Sequence, residues 1–161
     1  MSEKENNIII REAVRSDVKA IMQLIRELAL YEKAPEEVTV SEKQFEECGF
    51  GNSPVWWALV AEFDGKLIGM ALYYIRYSTW KGPKMYLEDL IVNEKWRGKG
   101  VGKMLFDGLI KKAKEKNWNG MSWQVLTWNE SAIQFYKKYE GVQLDDGWTN
   151  GSLEFQKTKS Y

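Results

Sequence analysis

Histidine is absent from the 161 residues, cysteine occurs once and proline three times. Without an imidazole, Ser-His-Asp and Cys-His catalysis and most zinc chemistry are excluded, so acid and base must come from carboxylates, tyrosines or lysines. The lone Cys48 permits no intramolecular disulfide and agrees with a reducing compartment. No apolar run is long enough to span a bilayer, and the polar start Ser2-Glu3-Lys4-Glu5-Asn6-Asn7 carries no signal-peptide pattern. The expected location is therefore the cytoplasm, with no membrane partner. Net charge is also lacking, because 23 basic residues balance 23 acidic ones, so no global field argues for nucleic acid. Aromatic residues are plentiful, with eight Trp and eight Tyr, and such rings pack more often than they bind.

What is present concentrates in residues 85–103. The apolar strand Met85-Tyr86-Leu87-Glu88-Asp89-Leu90-Ile91-Val92 leads by a short link into Arg97-Gly98-Lys99-Gly100-Val101-Gly102-Lys103, which opens a long amphipathic helix. Glycines let the backbone turn tightly and approach a ligand, and the first N–H groups of a helix point outward with the positive end of its dipole. Arg97, Lys99 and Lys103 add positive charge, so the loop reads as a cradle for a pyrophosphate, with a reacting carboxylate beside it. A Walker A loop needs Gly where Arg97 stands and Ser or Thr where Met104 stands, which disfavours nucleotide hydrolysis. A dinucleotide fingerprint fails at Lys103, where its third Gly belongs.

In chain order, Ile8-Ile9-Ile10-Arg11-Glu12 reads as a first strand. Ser16 is expected to cap a helix whose Val18, Ile21, Met22, Ile25, Leu28 and Ala29 share one face. Ser41-Glu42-Lys43-Gln44 has the form of a capping box for a short second helix. Two strand-like runs, 55–63 and 66–75, flank Asp64-Gly65, a hairpin signal, and a turn at 79–83 leads into the strand at Met85, making a meander. A helix over 100–117 turns Val101, Leu105, Phe106, Leu109, Ile110 and Ala113 inward. A strand over 120–127, a helix capped by Asn129 and a last strand over 148–155 complete one mixed sheet flanked by helices, an α+β fold in a single domain spanning 1–161.

Arg97-Gly98-Lys99-Gly100-Val101-Gly102 resembles the Arg/Gln-x-x-Gly-x-Gly/Ala loop of the GNAT superfamily of N-acetyltransferases, which also follows directly after an apolar strand. Most of the chain is similar to one branch, the diamine (spermidine/spermine) and thialysine N-acetyltransferases. The likeness runs through Leu28-Ala29 with Tyr31-Glu32, Gly49-Phe50-Gly51, Tyr77-Ser78-Thr79-Trp80-Lys81-Gly82, Tyr86-Leu87-Glu88-Asp89, Trp128-Asn129-Glu130, Phe135-Tyr136-Lys137 and Gly147-Trp148. The resemblance implies acetyl transfer from acetyl-CoA to a primary amine of a small molecule, without a metal, on the GNAT fold. That fold has a mixed, mostly antiparallel seven-stranded sheet flanked by helices and is usually a homodimer. It further implies that the backbone of Leu90, Ile91 and Val92 pairs with the pantetheine arm. Arg97, Gly98, Lys99, Gly100, Val101, Gly102 and Lys103 then hold the pyrophosphate, Asn129 and Ser131 line the cofactor site, and Tyr136 lies near the thioester sulfur. Tyr31, Glu32, Trp80, Asp89 and Asp146 correspond to positions around the acceptor.

The chemistry itself constrains the roles. An alkyl ammonium has a pKa of about 10.4, so a carboxylate or water chain must take a proton before the nitrogen attacks. Glu88 is the candidate base, its pKa expected to rise by desolvation within an apolar strand. The Tyr136 hydroxyl is the candidate donor to the leaving thiolate, and a backbone N–H between Leu90 and Val92 a candidate oxyanion donor. Structural readings stand beside these: Glu88 or Asp89 pointing to solvent, Tyr136 only packing, Asn129 only capping. Where the polyamine enzymes carry Asp-Pro before the tryptophan, this chain has Ser78-Thr79, and Lys81 follows, as the thialysine branch reads. A thialysine- or lysine-like acceptor in a direct, ternary-complex transfer is therefore expected, since Cys48 lies outside the matched segments. A polyamine acetyltransferase, or a non-catalytic acyl-CoA-binding module, is the alternative.

Overall fold

The computed structural model describes residues 7–144, 147 and 150–153. Two compact units divide the chain after Gln124. The first holds β1 (Ile9–Glu12), α1 (Val18–Tyr31), α2 (Glu42–Phe50), β2 (Trp57–Phe63), β3 (Lys66–Ser78), β4 (Gly82–Val92), α3 (Val101–Glu115) and β5 (Met121–Trp123). Its sheet runs in the order β1-β2-β3-β4-β5, antiparallel from β1 to β4, with β5 parallel to β4. The α+β class stands. The implied seven strands become five among the described residues, and of the last strand expected over 148–155, residues 148–149 and 154–155 lie outside them.

Alternation along the strands distributes the core between two faces. Ala58 and Val60 of β2, Met70 and Leu72 of β3 and Ile91 of β4 pack with Val18, Ile21, Met22 and Leu24 of α1 and Phe45 of α2. On the opposite face α3 buries Val101, Leu105, Phe106, Leu109 and Ala113. Gly69 of β3 is required there, since a Cβ would lie 2.8 Å from the Ile91 carbonyl oxygen and 3.2 Å from a Leu105 methyl. The hairpin forms as its Asp64-Gly65 signal implies: Phe63 pairs with Lys66, and both turn residues have positive φ, 50° and 70°.

Antiparallel pairing between β3 and β4 is broken once. Leu72 faces Asp89 and Tyr73 faces Leu87, so Glu88 is an extra residue, a β-bulge. Leu87 therefore stays with Tyr73 on the α3 face, whereas Asp89 joins Leu72 on the α1 face. Unbroken alternation would have put Leu87 and Asp89 on the same side.

Some expectations are corrected. Ser16 does not cap α1, because a 3-10 turn over Arg15–Asp17 precedes the helix, and Asp17 takes the polar work there. Its carboxylate accepts from the Val14 N–H (2.8 Å) and from Arg11 Nη1 and Nη2 (2.7 and 3.0 Å). The strand expected over 120–127 is confined to Met121–Trp123. Ser41 caps α2 as expected, accepting from the Gln44 N–H at 3.1 Å.

In the second unit α4 (Glu130–Lys137) starts at Asn129, whose Oδ1 accepts from the Ala132 N–H at 3.2 Å. No helix among the described residues is long and apolar enough to cross a membrane.

Burial pushes the Asp17 carboxyl up, but hydrogen bonds from Arg11 and the Val14 N–H outweigh it and hold it below its ordinary value. A depressed native pKa contributes stability above the unfolded-state value and loses it as pH falls. Asp17→Asn should therefore cost about 2 kcal/mol at pH 7, with the deficit shrinking below about pH 4. Thermal melts of both proteins at pH 7 and pH 3 check this, and a deficit independent of pH would assign the loss to packing.

Candidate active site

The site grows from the exit of β4. Asn93 ends the strand, its Nδ2 donating to Glu27 of α1 at 3.2 Å while its Oδ1 accepts from the Lys95 N–H. A 3-10 turn over Glu94–Trp96 then delivers Arg97, Gly98, Lys99 and Gly100 to the start of α3. Gly98 (φ 75°) and Gly100 (φ 81°) hold left-handed conformations that a side chain would strain, and no atom stands within 4 Å of where a Cβ would project from either. Gly100 is the N-cap of α3 and supplies no side-chain oxygen, so no cap occupies the first-turn N–H groups. Open space, free backbone donors and the dipole's positive end suit a phosphate, so the residues present fit the cofactor's pyrophosphate.

Individual side chains in the loop differ in what they offer. Val101 is buried, leaving only its backbone for a ligand. Lys103 pairs with Asp107, and the Lys99 Nζ lies 4.9 Å from the Trp96 ring. Arg97 Nε donates to the Val92 carbonyl at 3.2 Å, and its guanidinium lies 5.1 Å from the centre of the Tyr31 ring. The glycine loop thus touches the end of α1.

Pairing with β5 covers only Met85, Leu87 and the Tyr86 between them. Beyond Leu87, the β5-side edge of β4 through Val92 has no strand partner among the described residues. Ile91 commits its side chain to the core, so what it and its neighbours Leu90 and Val92 can present along that edge is backbone N–H and C=O. An extended polar chain could pair there.

Next to this edge stand three carboxylates. The bulge turns Asp89 toward α1, and burial, with the charges of Glu88 and Glu32 adding to it, pushes its carboxyl up to about 7. Burial also raises Glu32 at the end of α1. Glu88 itself is exposed, so the desolvation expected of it falls on its half-buried neighbour Asp89. The Glu88 charge, adding to burial, instead raises the phenols of Tyr74 and Tyr86, two residues that the sequence reading did not single out. Tyr74 alternates within an ordinary strand pattern.

Trp80 is 92% exposed in the β3–β4 turn, where Ser78 Oγ accepts from the Trp80 and Lys81 N–H groups at 3.2 Å each. Ser78 lies six residue steps along β3 from Leu72, the partner of Asp89, roughly 20 Å at the rise of an antiparallel strand. The structure does not bring Trp80 to Asp89 within one chain. Asp146 lies outside the described residues. In the second unit, Tyr136 is buried with the Phe135 ring 5.1 Å away, Ser131 is exposed and Asn129 caps α4.

The profile of the acetyltransferase (GNAT) family matches residues 18–141. The chain belongs to this family. As an acetyl-CoA-dependent N-acetyltransferase, it is similar to the thialysine N-epsilon-acetyltransferase of Bos taurus, with 38% identity over 151 residues covering 88% of this chain and 89% of that one. It is also similar to the spermidine/spermine N(1)-acetyltransferase-like protein 1 of Homo sapiens, at 32% identity over 86% of this chain and 21% of that one. Among solved structures, an aminoglycoside acetyltransferase from an uncultured soil metagenomic sample superposes with a TM-score of 0.80 at 20% identity, covering 94% and 100% of the two chains. At that identity the likeness concerns the fold.

In this acetyltransferase, Asp89 has a native pKa above its unfolded value. Its contribution to stability is fully present below the unfolded pKa and is lost as pH rises toward 7. Asp89→Asn should consequently melt several degrees higher than the parent at pH 8, with the gap closing toward pH 4. Equal melting temperatures at both pH values would place the Asp89 carboxylate in water.

Proposed function

We propose that this N-acetyltransferase acetylates the side-chain amine of a small amino acid of the thialysine or lysine type by direct transfer in a ternary complex. The observation that carries the reading is the unpaired edge of β4, which runs from the Glu88–Asp89 pair to the glycine loop at the start of α3. Acetyl-CoA supplies an activated thioester. Along the edge, the backbone of Leu90, Ile91 and Val92 would pair with the pantetheine arm. Arg97, Gly98, Lys99, Gly100, Val101, Gly102 and Lys103 would hold the pyrophosphate through backbone N–H groups and positive charge. Asp89 and Glu32 would bind the acceptor ammonium beside Tyr31, and Glu88 would take its proton, directly or through water. The amine nitrogen then bonds to the carbonyl carbon as the C–S bond breaks. Tyr136 as donor to the thiolate, Asn129 and Ser131 on the cofactor, and Trp80 and Asp146 on the acceptor enter on the resemblance alone.

A second reading is favoured by one observation: Glu32 and Glu88 both act electrostatically on Asp89, a concentration of negative charge that suits a polycation. Against it, Ser78-Thr79 and Lys81 remove one negative charge from the Trp80 turn and place a positive one there, which an amino acid's carboxylate would use and spermidine would not. The likeness to thialysine acetyltransferases over most of both chains supports the amino acid. We also take residues 1–161 as one functional domain, working in the cytoplasm as a homodimer, on the strength of the family resemblance.

The parent should show a higher kcat/KM for thialysine and lysine than for putrescine or spermidine in a CoA-release assay. A preference for spermidine would restore the polyamine reading, and no turnover with any amine would favour an acyl-CoA-binding module. Gly100→Val should weaken acetyl-CoA about tenfold or more by calorimetry, since the side chain strains the left-handed backbone and fills the space above the loop. Unchanged affinity would remove the phosphate from this loop.

A further inference from the structure

We propose that Arg76 reads the α-carboxylate of the amino-acid acceptor, and that the stacked rings of Tyr74 and Tyr86 carry the acceptor's side chain between that contact and the Asp89 carboxyl. The proposal rests on the reading of the acceptor as a thialysine- or lysine-type amino acid and adds the group that recognises its amino-acid end. Alternation along β3 puts Leu72, Tyr74 and Arg76 on one face, the α1 face where Leu72 packs. Across the ladder Asp89 pairs with Leu72, Tyr86 with Tyr74 and Lys84 with Arg76. Three successive rows of that face therefore run from acid through aromatic to basic.

The middle row is a floor. The Tyr74 and Tyr86 rings stack with centroids 5.0 Å apart and 29° between planes, and both residues are half-buried. Arg76 is exposed, and its guanidinium lies 5.8 Å from the centre of the Tyr86 ring, which belongs to the next row toward Asp89. Lys84 sends its side chain past Gly120, where an added Cβ would stand 3.7 Å from the Lys84 Cε, so Arg76 is the cation turned to the floor. Leu72 and Arg76 are four residue steps apart, roughly 14 Å at the rise of an antiparallel strand. The ammonium and carboxylate of an extended lysine are roughly 8 Å apart at standard bond lengths, and a hydrogen bond of about 2.8 Å at each end fills that spacing. A chain of methylenes, with or without a thioether sulfur, packs on aromatic faces, and a guanidinium meets a carboxylate with two parallel hydrogen bonds. Spermidine would present a further ammonium to Arg76, a repulsion that discriminates against it. Lys81 belongs to the turn past Ser78, too far along the hairpin for an acceptor of this length to touch while it holds Asp89, so its charge acts through the field alone.

CoA release by the parent, Arg76→Gln and Arg76→Lys with thialysine, lysine and lysinamide tests this, since lysinamide carries an uncharged amide in place of the carboxylate. The parent should favour lysine over lysinamide about tenfold in kcat/KM. Arg76→Gln should raise KM for lysine and thialysine about tenfold with kcat within twofold, and leave kcat/KM for lysinamide unchanged or higher, so that the preference collapses. Arg76→Lys, which keeps the charge without the fork, should retain part of it. Melting temperature and acetyl-CoA affinity by calorimetry should not move in either variant. The proposal is overturned if Arg76→Gln keeps the parent's preference for lysine over lysinamide, if it weakens all three acceptors alike, or if the parent uses lysine and lysinamide equally. A parent that prefers spermidine, or is idle with every amine, overturns the amino-acid reading and this proposal together, and is told apart because the failure then appears in the parent itself.

Discussion

Glu88 enters β4 as one residue more than β3 can pair, and the arrangement of the candidate site depends on that mismatch. Side chains on a strand alternate between faces, so a single extra residue exchanges the faces of everything beyond it. Up to Leu87 the strand keeps its register with Tyr73 on the α3 side; past the bulge Asp89 turns to the α1 side, where Glu32 stands at the helix end. The same local break lies where pairing with β5 stops, which leaves the backbone of the following residues available along one edge. One irregularity thus both gathers carboxylates and frees a hydrogen-bonding edge.

Electrostatics divides the site into two ends of opposite character. At one end, Asp89 is half-buried beside like charges, and the cost of ionising it there is offset once a cation arrives. At the other, glycines in left-handed conformations leave the N-terminus of α3 without a side-chain cap, and Arg97, Lys99 and Lys103 surround it. Arg97 joins the ends, bonded to the last carbonyl of β4 and lying over the Tyr31 ring at the end of α1. An ammonium at the first end and a pyrophosphate at the second would put the reacting atoms along the edge between them.

Much of this was legible in the sequence. The glycine loop after an apolar strand, the Asp64-Gly65 turn, the Ser41 and Asn129 caps and the inward faces of α1 and α3 follow from local rules of periodicity and capping, which neighbours along the chain obey without outside help. Ser16 misled because a hydroxyl before an apolar run has the form of a cap, whereas the contest was decided by Arg11 on a neighbouring strand, which draws Asp17 inward. The strand over 120–127 was shortened for a similar reason: a strand exists only as far as a partner pairs with it, and β5 has a partner over three residues.

Local order along the chain, then, determined most of the elements and the glycine loop, because caps, turns and periodic apolar faces are set by residues a few positions apart, and the motifs carried the likeness to the acetyltransferase family. Tertiary structure alone decided which of two adjacent carboxylates is desolvated. Glu88 and Asp89 are equivalent in sequence; their difference comes from the pairing of β4 with β3, where the count of residues on the opposite strand makes one of them surplus. Desolvation acts on position in space, and no spacing within a single strand states how many residues its partner will offer.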